Sequence, residues 1–283
     1  MSLVPSMKAV VVDDIEQFSV QDVRLDPPKA GEVAVKMSAT GVCRSDLSVI
    51  TGTIPMGLPC VIGHEGAGIV HQVGDGVDHL QPGDHVVLSF IPTCGECFFC
   101  EHDQPNLCDV KYQAKGYMLD GTPRAWRGEQ PLGSMNQLGC MAEYCIAPAV
   151  SCVKIDSDIP LRSAALVGCG VMTGVGAALN TAGVEAQSTV AVFGCGGIGL
   201  SIIQGARLAG AAQIVAVDPL PAKQDMARGF GATHAAHPDD ARDAIKALTG
   251  GRGADYSFEA VGRGELMQAA ERATRAEIGR AHV

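Results

Sequence analysis

Thirty residues from Val190, VAVFGCGGIGLSIIQGARLAGAAQIVAVDP, restrict the fold of this chain more than any other stretch. A valine-rich run leads into Gly194, Gly196 and Gly199 in the order G-x-G-x-x-G, with Gly197 and Ile198 inside the motif. A second apolar run ends at Asp218, 24 residues after Gly194. Glycine permits a tight turn between strand and helix, and it lets a pyrophosphate reach the amide groups at the helix start. The order alone arises by chance in a chain with 35 glycines; the flanking strand, helix and terminal acid give it weight. The plain alternative is an ordinary strand–helix turn. On the dinucleotide reading, Asp218 accepts hydrogen bonds from the adenosine ribose and repels a 2′-phosphate, which favours NAD over NADP.

The same rhythm continues on both sides. Before the motif, IPLRSAALVGCGVMTGVGAALNTAGV carries small apolar residues at helical spacing; after it come KQDMARGFGA and GADYSFEAVG. Alternating strands and helices predict a parallel sheet with crossover helices. The first part differs: MKAVVV, GEVAVKMSATGVC, GAGIVHQVG and GDHVVLSF are short valine-rich runs separated by Gly, Pro and Asp, which read as strands and turns. The expected organisation is α/β, with a mostly-β domain over residues 1–170 and a doubly wound domain over 171–277. Hydrophobic residues make up 47% and aromatics only 4%, a balance that suits a sheet covered on both faces. The formal charge of −10 gives no attraction to nucleic acid or anionic lipid, so neither is an expected partner. No apolar run reaches the roughly 18–20 residues that span a bilayer, and the N-terminus lacks a signal-peptide pattern. These features predict a cytoplasmic protein, in which 11 cysteines serve metal binding or burial rather than disulfides.

Four of those cysteines, Cys94, Cys97, Cys100 and Cys108, fall within the lobe 90–110. They could pack as small buried hydrophobes. Their neighbours Glu96, Glu101, His102, Asp103 and Pro105 instead describe a polar surface loop, where four thiolates closing around one structural zinc would replace a core. Further ligand-type residues are scattered: Cys43 in GVCRSD, His64 and Glu65 in GHEGAG, and Cys169 in VGCGVMTG. Each lies beside glycine or a strand end. Two cysteines and one histidine would leave a fourth position open, as a catalytic zinc requires. Taken singly, each is as well read as a core or surface residue.

With these motifs assembled, the chain resembles the zinc-dependent medium-chain alcohol dehydrogenases from about Met7 to Val261, and GVCRSD, GHEGAGIV, PGDHVV, the four-cysteine lobe, GCGVMTGVGA and GCGGIG carry the resemblance. Its wording is most similar to the class-III-like and nitroso-dye-dependent bacterial branch. The resemblance implies a GroES-like catalytic domain and a Rossmann-type domain, two zinc ions per chain, NAD as cofactor, a small alcohol or aldehyde as substrate, and a homodimeric or homotetrameric parent. It implies Cys43, His64 and Cys169 as ligands of the catalytic zinc, and Glu65 as a carboxylate behind the metal, able to exchange onto it. By the same resemblance Asp46 orients the histidine, Ser45 takes the alcohol proton and Phe90 lines the substrate pocket. Arg44 lies near the pyrophosphate, Thr173 beside the nicotinamide and Lys223 on the adenosine ribose. Asp46, Arg44 and Lys223 also read as solvated charges, and Phe90 as plain core.

One position departs from the family pattern: Ser48 stands where many members carry the histidine that ends the proton relay. Serine holds a water but does not titrate near neutrality. The expected activity is oxidation of a primary or aromatic alcohol to the aldehyde. The alternatives are oxidation of S-(hydroxymethyl)glutathione and a non-catalytic zinc- and nucleotide-binding role. Family members continue well beyond this chain's last residue, so the nucleotide-binding sheet is expected to be incomplete. The closing IGRAHV, Ile278–Val283, matches the translation of a common sequencing adapter and is read as an artefactual tail.

Overall fold

The computed structural model describes residues 3–110 and 116–276, together with the backbone of 280–282. The expected artefactual tail therefore falls partly outside the described residues. The chain divides into two compact units, Met1–Cys169 and Gly170–Val283.

Among the described residues the first unit holds ten strands: β1 (Val4–Asp14), β2 (Gln17–Leu25), β3 (Glu32–Thr40), β4 (Cys60–Val61), β5 (Gly66–Val73), β6 (His85–Leu88), β7 (Ala125–Arg127), β8 (Gln130–Ser134), β9 (Tyr144–Pro148) and β10 (Cys152–Ile155). They form a closed barrel, β1-β2-β7-β8-β4, and a five-stranded sheet, β10-β6-β5-β3-β9. Strand periodicity divides the side chains of β3 between two cores. Val33 and Val35 pack with Leu88, Cys145 and Ala147. Ala34, between them, packs with Met7, Val11, Leu132 and Ile146 of the barrel side.

The second unit contains β11 (Thr189–Phe193), β12 (Gln213–Val217), β13 (His234–Ala236), β14 (Tyr256–Glu259) and β15 (Arg280–His282). The sheet order is β13-β12-β11-β14-β15, and every neighbouring pair is parallel. All five residues of β11 are buried, as expected for a strand covered on both faces. Val190 and Val192 enter a core with Ile202, Ile203 and Phe258, while Ala191 and Phe193 enter a second core with Ile245 and Ala270. Helices therefore cover both faces, which makes the sheet doubly wound. Strand order reverses at β11, flanked by β12 and β14, so the crevice at its carboxyl end is the place where such sheets hold ligands. Among the described residues no single helix is long and apolar enough to cross a membrane.

The glycine motif does two separate jobs. Gly194 has φ +94°, which L side chains rarely adopt. A Cβ on Gly199 would collide with the Gly194 carbonyl oxygen, so this glycine lets the helix Gly197–Leu208 close onto β11. Gly199→Ala should therefore destabilise the protein by about 1–3 kcal/mol through forced repacking. Chemical denaturation would detect this; an unchanged midpoint would mean that helix and strand are not in contact there.

Candidate metal and nucleotide sites

Three neighbouring strands bring the scattered ligands together. Thr40 of β3 pairs with Gly66 of β5, and Gly66 pairs with Leu88 of β6. Cys43 follows the end of β3, His64 and Glu65 precede β5, and Phe90 follows β6, so all four leave from one end of the sheet. Cys169 reaches the same end because its predecessor Gly168 lies against β6: a Cβ on Gly168 would strike the Leu88 carbonyl. A Cβ on Gly41 would collide with the Glu65 carboxylate, and one on Gly63 (φ +101°) would lie 2.5 Å from the Met141 amide nitrogen. Glycine at 41, 63 and 168 is thus a steric requirement.

The stretch 159–184 is not one helix. Cys169, with φ −143° and ψ −75°, ends the 3₁₀ turn Ala165–Gly168, and a new helix begins at Gly170. Helical spacing read from sequence misses this break, and the break presents the Cys169 side chain to the other ligands.

One donor atom from each of Cys43, His64, Glu65 and Cys169 lies within 4.8 Å of the others. Cys43 is half-buried and the other three are buried. Asp46 is also buried, and it grips two of them. Its Oδ2 accepts the Cys43 backbone N–H at 2.8 Å, and its Oδ1 lies 3.1 Å from His64 Nδ1. The first contact closes the N-terminus of the helix Arg44–Ile50, whose N-cap is Cys43. The second leaves His64 Nε2 as the ring nitrogen facing Cys43 and the other ligands.

Charge is concentrated here. The Cys169 thiol donates to the Cys43 sulfur, and with His64 it lowers the Cys43 pKa to about 3. The same contact and burial push the Cys169 thiol far up. Burial alone would lower the His64 pKa, but hydrogen bonds to Asp46 and Cys43 outweigh it and raise the value to about 9. Burial raises the Glu65 carboxyl. A buried group of two sulfurs, one imidazole and two carboxylates has an excess of negative donors that a divalent cation would neutralise, and the set suits zinc.

Around this group, Ser45 Oγ lies 3.7 Å from Cys43 Sγ. The Phe90 ring meets the His64 ring edge to face, with centroids 5.7 Å apart. Ser48 lies half-buried on the same helix, one turn beyond Ser45, and Arg44 is exposed at its first position. Thr173 is exposed on the helix Gly170–Gly176 in the second unit.

The four lobe cysteines form a second group, their sulfurs within 4.8 Å of one another. Cys108 Sγ lies 3.6 Å from Cys94 Sγ and 3.8 Å from Cys97 Sγ, and all four thiols are free. Amide N–H groups of Cys100 and Asp109 lower the Cys97 pKa to about 7. Four sulfurs and no oxygen ligand fit a closed structural zinc.

In the second unit, Gly194, Asp218 and Lys223 line a cleft of about 430 Å³ at the carboxyl end of the parallel sheet. Asp218 accepts the Cys195 N–H at 2.9 Å and the Leu220 N–H at 3.0 Å, with Lys223 Nζ at 3.9 Å. The helix Gly197–Leu208 begins at Gly196 without a side-chain cap, and a Cβ on Gly196 or Gly197 would meet nothing within 4 Å. Open amides at a helix N-terminus suit a pyrophosphate. Val261 and Arg263, which the sequence reading did not single out, line the same cleft. Their signal was Gly262, following a strand in this sheet.

Two family models match the chain: Alcohol dehydrogenase GroES-like domain over residues 29–157 and Zinc-binding dehydrogenase over residues 197–283. Among solved structures, the alcohol dehydrogenase zinc-binding domain protein from Burkholderia ambifaria is 35% identical with a TM-score of 0.90, over 98% of this chain and 76% of its own. Benzyl alcohol dehydrogenase from Acinetobacter calcoaceticus is 31% identical with a TM-score of 0.88, over 98% and 76%. A protein from Sinorhizobium meliloti 1021 described as a zinc-binding dehydrogenase, solved bound to NADP, is 29% identical with a TM-score of 0.78, over 98% and 75%.

Asp46→Asn should weaken zinc at the Cys43–His64–Cys169 group by about 10–100-fold and leave the four-cysteine lobe unchanged, because only the first site loses its orienting carboxylate. Chelator competition measures both; equal losses at both sites would contradict the assignment. Metal-stripped protein offers a test by pH. Cys43, with its pKa lowered to about 3, is a thiolate throughout the window from about pH 5 to 8, so its alkylation rate should be nearly flat there. Cys60 and Cys152, held near 12 by burial, remain protonated thiols in that window and should react only on unfolding. A Cys43 rate that climbs with pH in this window would overturn the thiolate assignment.

Proposed function

This chain belongs to the zinc-dependent medium-chain alcohol dehydrogenases, and from that premise we propose that it oxidises a primary or aromatic alcohol to the aldehyde, with the hydride passing to NAD. The carrying observation is the convergence of Cys43, His64, Glu65 and Cys169 within 4.8 Å, with the Ser45 hydroxyl beside Cys43. A zinc ion bound there would act as a Lewis acid toward the alcohol oxygen, and NAD would supply the hydride acceptor.

The chain's own side chains define the remaining work. Asp46 holds His64 through Nδ1, so that Nε2 is the ring nitrogen that would hold the ion. Cys43 and Cys169 would hold the ion as thiolates, Cys169 giving up its proton as the metal binds. Ser45 Oγ would accept the alcohol proton while its own hydroxyl hydrogen passes on to water. Ser48 does not titrate near neutrality, so the proton leaves through water rather than resting on a side chain. Phe90, packed against His64, gives the substrate an aromatic wall. That wall and the likeness to a benzyl alcohol dehydrogenase support the aromatic end of the substrate range.

The Asp218 carboxylate supports NAD over NADP, because its charge opposes a 2′-phosphate at the ribose it would bind. The NADP-bound neighbour makes the comparison of both cofactors necessary.

The purified protein should carry two zinc ions per chain by elemental analysis. Cys43→Ala should retain one, lose turnover and keep its NAD affinity. Parental alcohol oxidation by that variant would sink the reading, and a parent holding only the lobe zinc would support a non-catalytic binding protein instead. Asp218→Ala should raise the KM for NAD at least about tenfold with little change in the KM for alcohol, since it removes a charged acceptor from the ribose alone. Unchanged NAD kinetics would reject the ribose role.

A further inference from the structure

The nucleotide cleft has two rims, and a buried carboxylate holds each of them. Asp218 organises the rim after β12. The counterpart is Glu259, the last residue of β14, which pairs with Phe193 and so lies alongside the strand that leads into Gly194. Glu259 is 6% exposed. Its Oε1 accepts the backbone N–H groups of Val261 at 2.9 Å, Gly262 at 3.0 Å and Arg263 at 3.5 Å, and its Oε2 accepts Gly262 at 3.0 Å. Three successive amides converging on one anion form a nest, a backbone shape that binds anions. Here the chain fills the nest with its own side chain.

The turn so held is part of the cleft. Gly262 adopts φ +85°. A Cβ on Gly194 would collide with Val261 Cγ2, so this side chain packs directly on the first glycine of the motif. Val261 and Arg263 line the cleft together with Gly194 and Asp218. If the carboxylate is removed, the amides of Val261, Gly262 and Arg263 lose their shared acceptor, and the turn between the Ala260–Phe193 and Leu266–Arg263 backbone bonds is loosened where it packs on Gly194.

We infer that Glu259 is a positioning residue for the dinucleotide: by filling the Val261–Arg263 nest it sets the second rim of the cleft, and cofactor affinity depends on it. This inference rests on the dinucleotide reading of the cleft. Glu259 touches no reacting atom, so its effect belongs in cofactor binding and not in the chemical step. An internal anion can also be replaced by an external one. Formate is small enough to occupy a nest vacated by truncation, and it would restore the rim.

The test is NAD binding by titration calorimetry, with steady-state kinetics, on the full chain and its variants. Glu259→Ala should weaken NAD about tenfold, leave kcat within about twofold and leave the alcohol KM unchanged. Formate should recover most of that affinity in the variant and none in the parent, a response that general loss of stability would not produce. Glu259→Gln keeps one acceptor oxygen and should lose less. If the alanine variant fails to fold, the glutamine variant carries the test, with a loss of a few-fold expected. Parental NAD affinity in the folded alanine variant, or an equal loss for NAD and alcohol without formate recovery, overturns the inference alone. A parent without NAD affinity overturns the dinucleotide reading and this inference with it.

Discussion

One carboxylate, Asp46, fixes the geometry on which the metal site depends. Its two oxygens hold the backbone of Cys43 and the ring of His64, residues from different segments of the first unit. The backbone contact sets the start of the helix Arg44–Ile50, which places the Ser45 hydroxyl beside the Cys43 sulfur. The ring contact engages Nδ1 and leaves Nε2 to the ligand cluster. The candidate ligands Cys43 and His64 and the Ser45 hydroxyl are therefore positioned by a single buried side chain, and the paired ends of β3, β5 and β6 bring these segments together.

The cost of this arrangement is charge burial. Asp46, Glu65 and Cys43 lie close together, and the contact between the two sulfurs favours a thiolate at Cys43 and a thiol at Cys169. Buried like charges are unfavourable without a counter-ion, and a cation resolves the conflict. The four-cysteine lobe meets the same problem in a polar loop. There a metal would supply cohesion that the local sequence cannot. The nucleotide cleft uses another solution: Asp218 and Glu259 satisfy their oxygens with backbone amides, and so convert buried charge into a rigid rim.

Much of the architecture was legible because its signals are local. The mostly apolar run of β11, buried at all five positions, and the glycines at 194, 196 and 199 identify a strand, a turn and a helix within one stretch. Regular Cys-x-x-Cys spacing marks the lobe. The convergence of Cys43, His64 and Cys169 was not legible from spacing, because it depends on register between β3, β5 and β6, and it entered only through resemblance. The break at Cys169 was hidden by small apolar residues that fit a helix on either side. Glu259 was invisible for a related reason: its partners are backbone amides, and an amide leaves no trace in side-chain identity.

Anomalous diffraction at the zinc edge, on crystals of the zinc-loaded protein, tests the central claim most directly. The account predicts a peak within bonding distance of Cys43 Sγ, His64 Nε2 and Cys169 Sγ, with Asp46 still on His64 Nδ1 and a fourth position taken by a small molecule rather than a side chain. A single peak inside the four-cysteine lobe, with Cys43 and Cys169 turned away from His64, would contradict it.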